Sequence, residues 1–255
     1  MGRGRGGKQR LDERLVAQGL AESRHQARGL ILSGAVLVDD VPVDKAGVPV
    51  ADAATIRLRG GPRRFVSRGG DKLAGALEDL ALDPSGLDCL DVGASTGGFT
   101  DCLLQAGAQR VLAMDVGHGQ FHSRLRLDPR VSVLERVNAR RLAPEQVPFA
   151  VELLVADVSF ISLTLLLPRF ALVAPGARWL LLVKPQFEVG RAQVGKGGVV
   201  RDDALRASAV EAVVEAAGRC GHRCAGQAES RLAGPRGNRE VFVSLEPAPE
   251  GAPQP

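Results

Sequence analysis

The chain of 255 residues has no long apolar run: its longest stretch free of Asp, Glu, Lys and Arg extends only from Val158 to Pro168. A bilayer-crossing helix needs about 20 apolar residues, so no membrane span is expected. Met1 to Gln9 is rich in Gly and Arg and lacks an apolar centre, which argues against a secretory signal. Cysteine is scarce, with only Cys89, Cys102, Cys220 and Cys224. That usage fits a reducing cytoplasm better than a disulfide framework. Cys220, His222 and Cys224 sit close together, but without the paired Cys-x-x-Cys ligands of a structural zinc site, so no metal is expected. No internal repeat is visible.

What the chain does have is an uneven distribution of charge. Residues 1–70 carry 13 Lys and Arg against 7 Asp and Glu, a net of +6, whereas residues 71–255 carry a net of −2. A basic head on a near-neutral body suits contact with a polyanion; a solvated basic tail would show the same counts.

The first 9 residues read as a disordered basic tail. Apolar spacing predicts a helix over Leu11–Leu20, and Ser23 can cap a second helix over Arg24–Leu32 that stops at Ser33-Gly34. Strands are expected at Ala35–Val38 and Thr55–Leu58, with an Asp39-Asp40 turn. Gly60-Gly61-Pro62 marks a domain boundary. Lys72–Leu82 then reads as a helix. Beyond it, apolar strands at Leu87–Val92, Arg110–Asp115, Val131–Glu135, Leu153–Asp157 and Trp179–Lys184 alternate with helical segments, as in a doubly wound parallel sheet. Glu240–Leu245 is a late strand suited to antiparallel pairing, and residues 247–255 read as a disordered tail.

Four strand ends carry chemistry. Asp91-Val92-Gly93-Ala94-Ser95-Thr96-Gly97-Gly98 follows a strand and opens a helix, where small residues and helical N–H groups let a ligand approach. Ser95 stands where the dinucleotide fingerprint needs glycine. An acid opening the loop suits a cationic ligand such as S-adenosylmethionine. Asp115 closes the next strand, where a carboxylate can accept from a ribose or cap a helix. Asp157 closes a third. Lys184, closing a fourth in Leu182-Val183-Lys184-Pro185, would be expensive to bury without partners. The Arg10-Leu11-Asp12 triplet resembles an element of pseudouridine synthases, but at the start of a short helix it reads better as capping.

These runs together resemble the TlyA or hemolysin A family of rRNA 2'-O-methyltransferases. The resemblance lies in DVGASTGGFTDCLL, ADVSFISL, LVKPQFEVG and GNRE, and in Arg10-Leu11-Asp12, Ser23-Arg24 and Gly34-Ala35-Val36 near the N-terminus. It implies an α/β fold, with a Rossmann-like S-adenosylmethionine-dependent methyltransferase domain (67–246, FtsJ-like) and a small N-terminal α+β S-four-type (alpha-L) RNA-binding domain (10–62). A linker, 63–66, joins them. The family's catalytic tetrad carries over to Lys72, Asp157, Lys184 and Glu240. Its cofactor contacts carry over to Asp91, Gly93, Ser95, Gly98, Asp115 and Asn138. Arg10, Arg14, Arg24, Arg28 and Arg68 are the candidate RNA contacts. Phe65 stands where the family linker has tryptophan. The implied substrate is cytidine in ribosomal RNA or ribosomal subunits, in the cytoplasm, with no obligate protein partner.

A ribose 2'-hydroxyl is a weak nucleophile near neutral pH and needs its proton removed. Lys184 is the candidate base, Lys72 the neighbouring cation, Asp157 the group that positions Lys184, and Glu240 the group that orients Lys72 or the ribose. Three other readings stay open on sequence grounds: a non-catalytic ribosome-assembly factor, a membrane-lytic protein, and an RNA-linked oxidoreductase.

Overall fold

The computed structural model describes residues 8–21, 23–59 and 64–249. Residues 1–7 of the expected tail, the Gly60-Gly61-Pro62 boundary, Arg63 of the expected linker and residues 250–255 lie outside them. The chain divides into two compact units, 1–63 and 64–255.

The N-terminal unit runs β1 (Lys8–Arg10), α1 (Leu11–Ala17), α2 (Arg24–Leu32), β2 (Val36–Val38), β3 (Val41–Pro42), β4 (Pro49–Ala51) and β5 (Ile56–Leu58). Lys8 and Gln9, assigned to the tail on sequence grounds, are instead paired antiparallel with Ala51 and Val50 of β4. The helix predicted through Leu20 ends at Ala17. The second keeps its expected bounds: the Ser23 hydroxyl accepts the Gln26 N–H at 3.2 Å, and Gly34 takes a φ of +69° beyond its end. Asp39 and Asp40 both adopt positive φ, the geometry that lets a two-residue turn join twisted strands β2 and β3. Leu11, Leu15, Ile31, Val36 and Val50 form the core.

The second unit runs α3 (Arg68–Asp79), β6 (Asp88–Val92), α4 (Gly98–Gln105), β7 (Arg110–Asp115), α5 (Ser123–Arg126), β8 (Val131–Glu135), β9 (Leu153–Ala156), α6 (Leu167–Val173), β10 (Arg178–Val183), α7 (Pro185–Glu188), α8 (Asp203–Gly218), β11 (His222–Glu229) and β12 (Val241–Pro247). Its seven-stranded sheet has the order β11-β12-β10-β9-β6-β7-β8. The five strands β6 to β10 are parallel, and β12 runs antiparallel between β10 and β11.

Both faces of the sheet are covered. Along β10, Trp179, Leu181 and Val183 enter one core with Phe170 and Val213, while Leu180 and Leu182 enter the other with Leu73, Phe99 and Phe242. That two-sided burial is why the parallel strands read as unbroken apolar runs. Helix α3 begins four residues earlier than expected, at Arg68, because the Ser67 hydroxyl caps it by accepting the Gly69 N–H. Gly70 is required in its first turn, since a Cβ there would strike the Phe65 ring. Strand β6 has β9 on one side and β7 on the other, so the chain reverses direction across the sheet there. Open α/β sheets bind ligands at the carboxyl ends of strands flanking such a point. Among the described residues, no helix is long and apolar enough to cross a membrane.

Candidate active site

The loops after β6, β7, β9 and β10 surround a cleft of about 1230 Å³. Gly93, Ser95, Asp115, Asn138 and Asp157 all line it. Gly93 has a φ of +86°, and a Cβ there would lie 2.6 Å from the Asp157 carbonyl oxygen. Only glycine lets the first and third loops approach this closely. Asp115 is held by two backbone donors: the Ser95 N–H at 2.8 Å and the Gly117 N–H at 2.6 Å, one on each oxygen. Its orientation is therefore set before any ligand arrives. Asn138 caps a short turn by accepting the Arg140 N–H at 3.0 Å.

Asp91 and Gly98 sit behind this wall. Asp91 is fully buried; Thr100 donates to its Oδ2 at 2.6 Å, and its Oδ1 has no partner. Burial pushes its carboxyl up to about 7, with repulsion from Asp157 and Asp115 adding to the effect. Gly98 is buried against Ser67 and Gly70, so it serves the packing of α4 on α3 and does not line the cleft.

The four residues of the proposed tetrad form two ion pairs. Lys184 Nζ lies 2.5 Å from Asp157 Oδ1 and donates to Ser159 Oγ at 2.8 Å. Lys72 Nζ donates to Glu240 Oε2 at 2.5 Å. Both lysines and Glu240 are buried. The sheet register explains the grouping. Ala156 faces Leu181 across β9 and β10, and Val183 faces Val241 across β10 and β12, so Asp157, Lys184 and Glu240 leave three adjoining strands side by side. Lys72 comes from α3. Its partner is 168 residues away, a pairing no local pattern could announce.

Several neighbours went unnoticed in the sequence. Ser159 lies two residues after Asp157. Glu188 Oε2 accepts from Ser162 Oγ at 2.5 Å, and its Oε1 accepts the Leu163 N–H at 2.9 Å, which ties the loop after β9 to α7. Burial raises the Glu188 carboxyl above its ordinary value. Phe160 is 91% exposed at a φ of +67° on the cleft wall, with its ring centroid 5.2 Å from that of Phe187.

The candidate RNA-contact arginines divide. Arg14 is buried, and its guanidinium donates to the backbone carbonyls of Ala51, Asp52 and Ala54. It is a structural clamp on the turn after β4, which corrects its assignment as an RNA contact. Arg10, Arg24 and Arg28 are about half exposed and surround Asp12. Asp12 is therefore the centre of an ion-pair cluster and not the cap expected of its triplet: the N-cap of α1 is Arg10, and no side chain caps the helix. In the other unit, exposed Arg68 donates to the Ala233 carbonyl at 3.2 Å. Near Cys220 and Cys224, His222 is buried, stacked on Trp179 at 3.5 Å, with a ring nitrogen 3.1 Å from the Ala177 carbonyl.

Residues 65–246 match the family of FtsJ-like methyltransferases, and residues 9–56 match the S4 domain. The 16S/23S rRNA (cytidine-2'-O)-methyltransferase TlyA of Mycobacterium tuberculosis is 51% identical over 240 residues, covering 92% of this chain and 89% of that protein. Hemolysin A of Brachyspira hyodysenteriae is 40% identical over 239 residues, covering 92% of this chain and 98% of that protein. A solved structure of a hemolysin candidate from Streptococcus thermophilus superposes with a TM-score of 0.75 at 39% identity, covering 95% of this chain and 90% of that one.

Proposed function

This chain belongs to the FtsJ-like methyltransferase family, and from that premise we propose that it methylates the ribose 2'-hydroxyl of a cytidine in ribosomal RNA, using S-adenosylmethionine. The observation that carries this reading is the pair of buried lysine–carboxylate contacts at adjoining strand ends beside the cleft.

The residues present suit the cofactor. Its amino group is a cation, and Asp91 offers a buried carboxylate oxygen without a partner. Its ribose needs acceptors, and Asp115 is a preoriented carboxylate on the cleft wall. Gly93 and Ser95 would hold the cofactor by backbone, and Asn138 would close the far side. When bound, S-adenosylmethionine supplies an electrophilic methyl group on its sulfonium.

The chain's own residues supply the rest. Lys184, once its ammonium has released a proton to solvent, takes the proton from the 2'-hydroxyl as the neutral amine while the oxygen attacks the methyl group. Asp157 and Ser159 hold the Lys184 nitrogen in one place. Lys72, fixed by Glu240, places a second positive charge beside the reacting oxygen. Alignment of two substrates in a shielded cleft provides much of the acceleration. The basic N-terminal unit recruits the RNA. Ribosomal subunits as substrate place the reaction in the cytoplasm.

The test is direct. The protein is incubated with labelled S-adenosylmethionine and unmodified ribosomal subunits, and the label is mapped. Label on a cytidine 2'-oxygen supports the reading. Label on a base overturns the proposed chemistry, and no incorporation favours a non-catalytic assembly factor.

A further inference from the structure

Asp12 is the only buried carboxylate among the described residues of the N-terminal unit. A buried carboxylate needs cations or donors to be tolerated. Here three guanidiniums from two elements converge on a single atom, its Oδ2: Arg10 at 2.9 Å, Arg24 at 3.3 Å and Arg28 at 3.5 Å. Their side chains are 42%, 54% and 58% exposed, so each turns one edge to the carboxylate and leaves others to solvent. Three like charges gathered this closely would separate without an anion between them.

We propose that Asp12 is a positioning residue that gathers Arg10, Arg24 and Arg28 into one preformed grip for an RNA backbone phosphate. This rests on the reading of the N-terminal unit as an RNA binder. Guanidinium forks match phosphate oxygens in geometry, and the match is strongest when the forks are held in advance. The neighbouring Glu13 has the opposite role. It is 38% exposed, and its Oε1 lies 3.3 Å from Arg24 and 3.9 Å from Arg10. It therefore occupies guanidinium edges that a phosphate would use.

The two carboxylates make the inference testable, because each removes one positive charge from the same surface. If charge alone mattered, neutralising either would strengthen RNA binding. A positioning role predicts opposite outcomes. The full chain is titrated with unmodified ribosomal subunits at several salt concentrations. Asp12→Asn should weaken binding on the order of tenfold, the loss of one well-placed charge-assisted contact. Its salt dependence should become shallower by about one released counterion. Glu13→Gln should bind more tightly than the parent chain. Thermal unfolding and cofactor affinity of the same variants report whether the fold is intact. Asp12→Asn binding as well as the parent, or better, overturns the proposal.

If Asp12→Asn unfolds the N-terminal unit, the exposed pair decides. Arg24→Gln and Arg28→Gln should be strongly non-additive when combined, as expected of one shared phosphate, whereas additive losses contradict the grip. Failure of the parent chain to bind subunits would sink the RNA-binding reading itself, and that outcome is distinct from a failure at Asp12.

Discussion

The Lys184 ammonium lies 2.5 Å from the Asp157 carboxylate, at the ends of two neighbouring parallel strands. The contact fixes the lysine nitrogen beside the cleft. Asp157→Asn keeps the shape and removes the charge. Single-turnover methyl transfer should fall roughly 10²- to 10⁴-fold, the usual range for disabling acid–base machinery. Cofactor affinity by calorimetry should change far less. A variant with weakened cofactor binding and normal transfer would make Asp157 a cofactor ligand instead.

Asp91 gives a pH dependence with a definite sign. Its carboxyl is raised from 3.8 to about 7 in the folded chain, chiefly by burial. Between these values the folded state holds a proton that the unfolded state releases, so this group's contribution to stability is lost as pH rises through that window. Asp91→Asn removes the dependence, and its melting temperature should gain on the parent as pH increases from about 4 to 7. Cofactor affinity should move the other way. It should rise as Asp91 ionises in the parent, and be weaker and less pH-dependent in Asp91→Asn. Parallel melting curves for the two proteins across this range would contradict the assignment.

Glu188 holds Ser162 and Leu163, and so anchors the loop that follows Asp157 to the helix that follows Lys184. Glu188→Ala should lower kcat on the order of tenfold or more through misplacement of that loop. Glu188→Gln, which retains an acceptor, should recover much of the loss. Equal activity in both variants and the parent would show that the loop needs no such anchor.

Phe160 presents an aromatic ring to solvent on the cleft wall. Base–aromatic stacking is worth about 1–3 kcal/mol per base. Phe160→Ala should therefore raise KM for the RNA about 5- to 150-fold while leaving cofactor affinity and thermal stability nearly unchanged. An unchanged KM would leave the exposed ring without a part in RNA binding.

Much of the architecture could be read locally. Strands β6, β7, β9 and β10 are largely buried, and their apolar runs stop at or beside acids or a lysine at the ligand edge, whereas the edge strand β8 is only half-buried. Helix α2 announces itself through Ser23 and Gly34. Strand β11 carries no such signal because it lies at the sheet edge, where, after the buried His222, exposed positions alternate with half-buried ones and no large apolar residue occurs. The three-residue β1 and β4 are too short to show a period. Sequence also cannot say which arginine turns inward. Arg14 and Arg28 carry the same charge on neighbouring helices, yet one clamps backbone carbonyls and the other faces solvent beside Asp12. The Lys72–Glu240 contact depends on helix α3 packing near the start of β12, and only the assembled sheet brings the two residues together.

The central claim is that Lys184 takes the proton from a ribose 2'-hydroxyl. Its most direct test is single-turnover methyl transfer to unmodified ribosomal subunits by Lys184→Ala, with cofactor and subunit binding measured on the same preparation. The account predicts near-complete loss of 2'-O-methylcytidine with both binding steps retained. Transfer at close to the parent rate would contradict it.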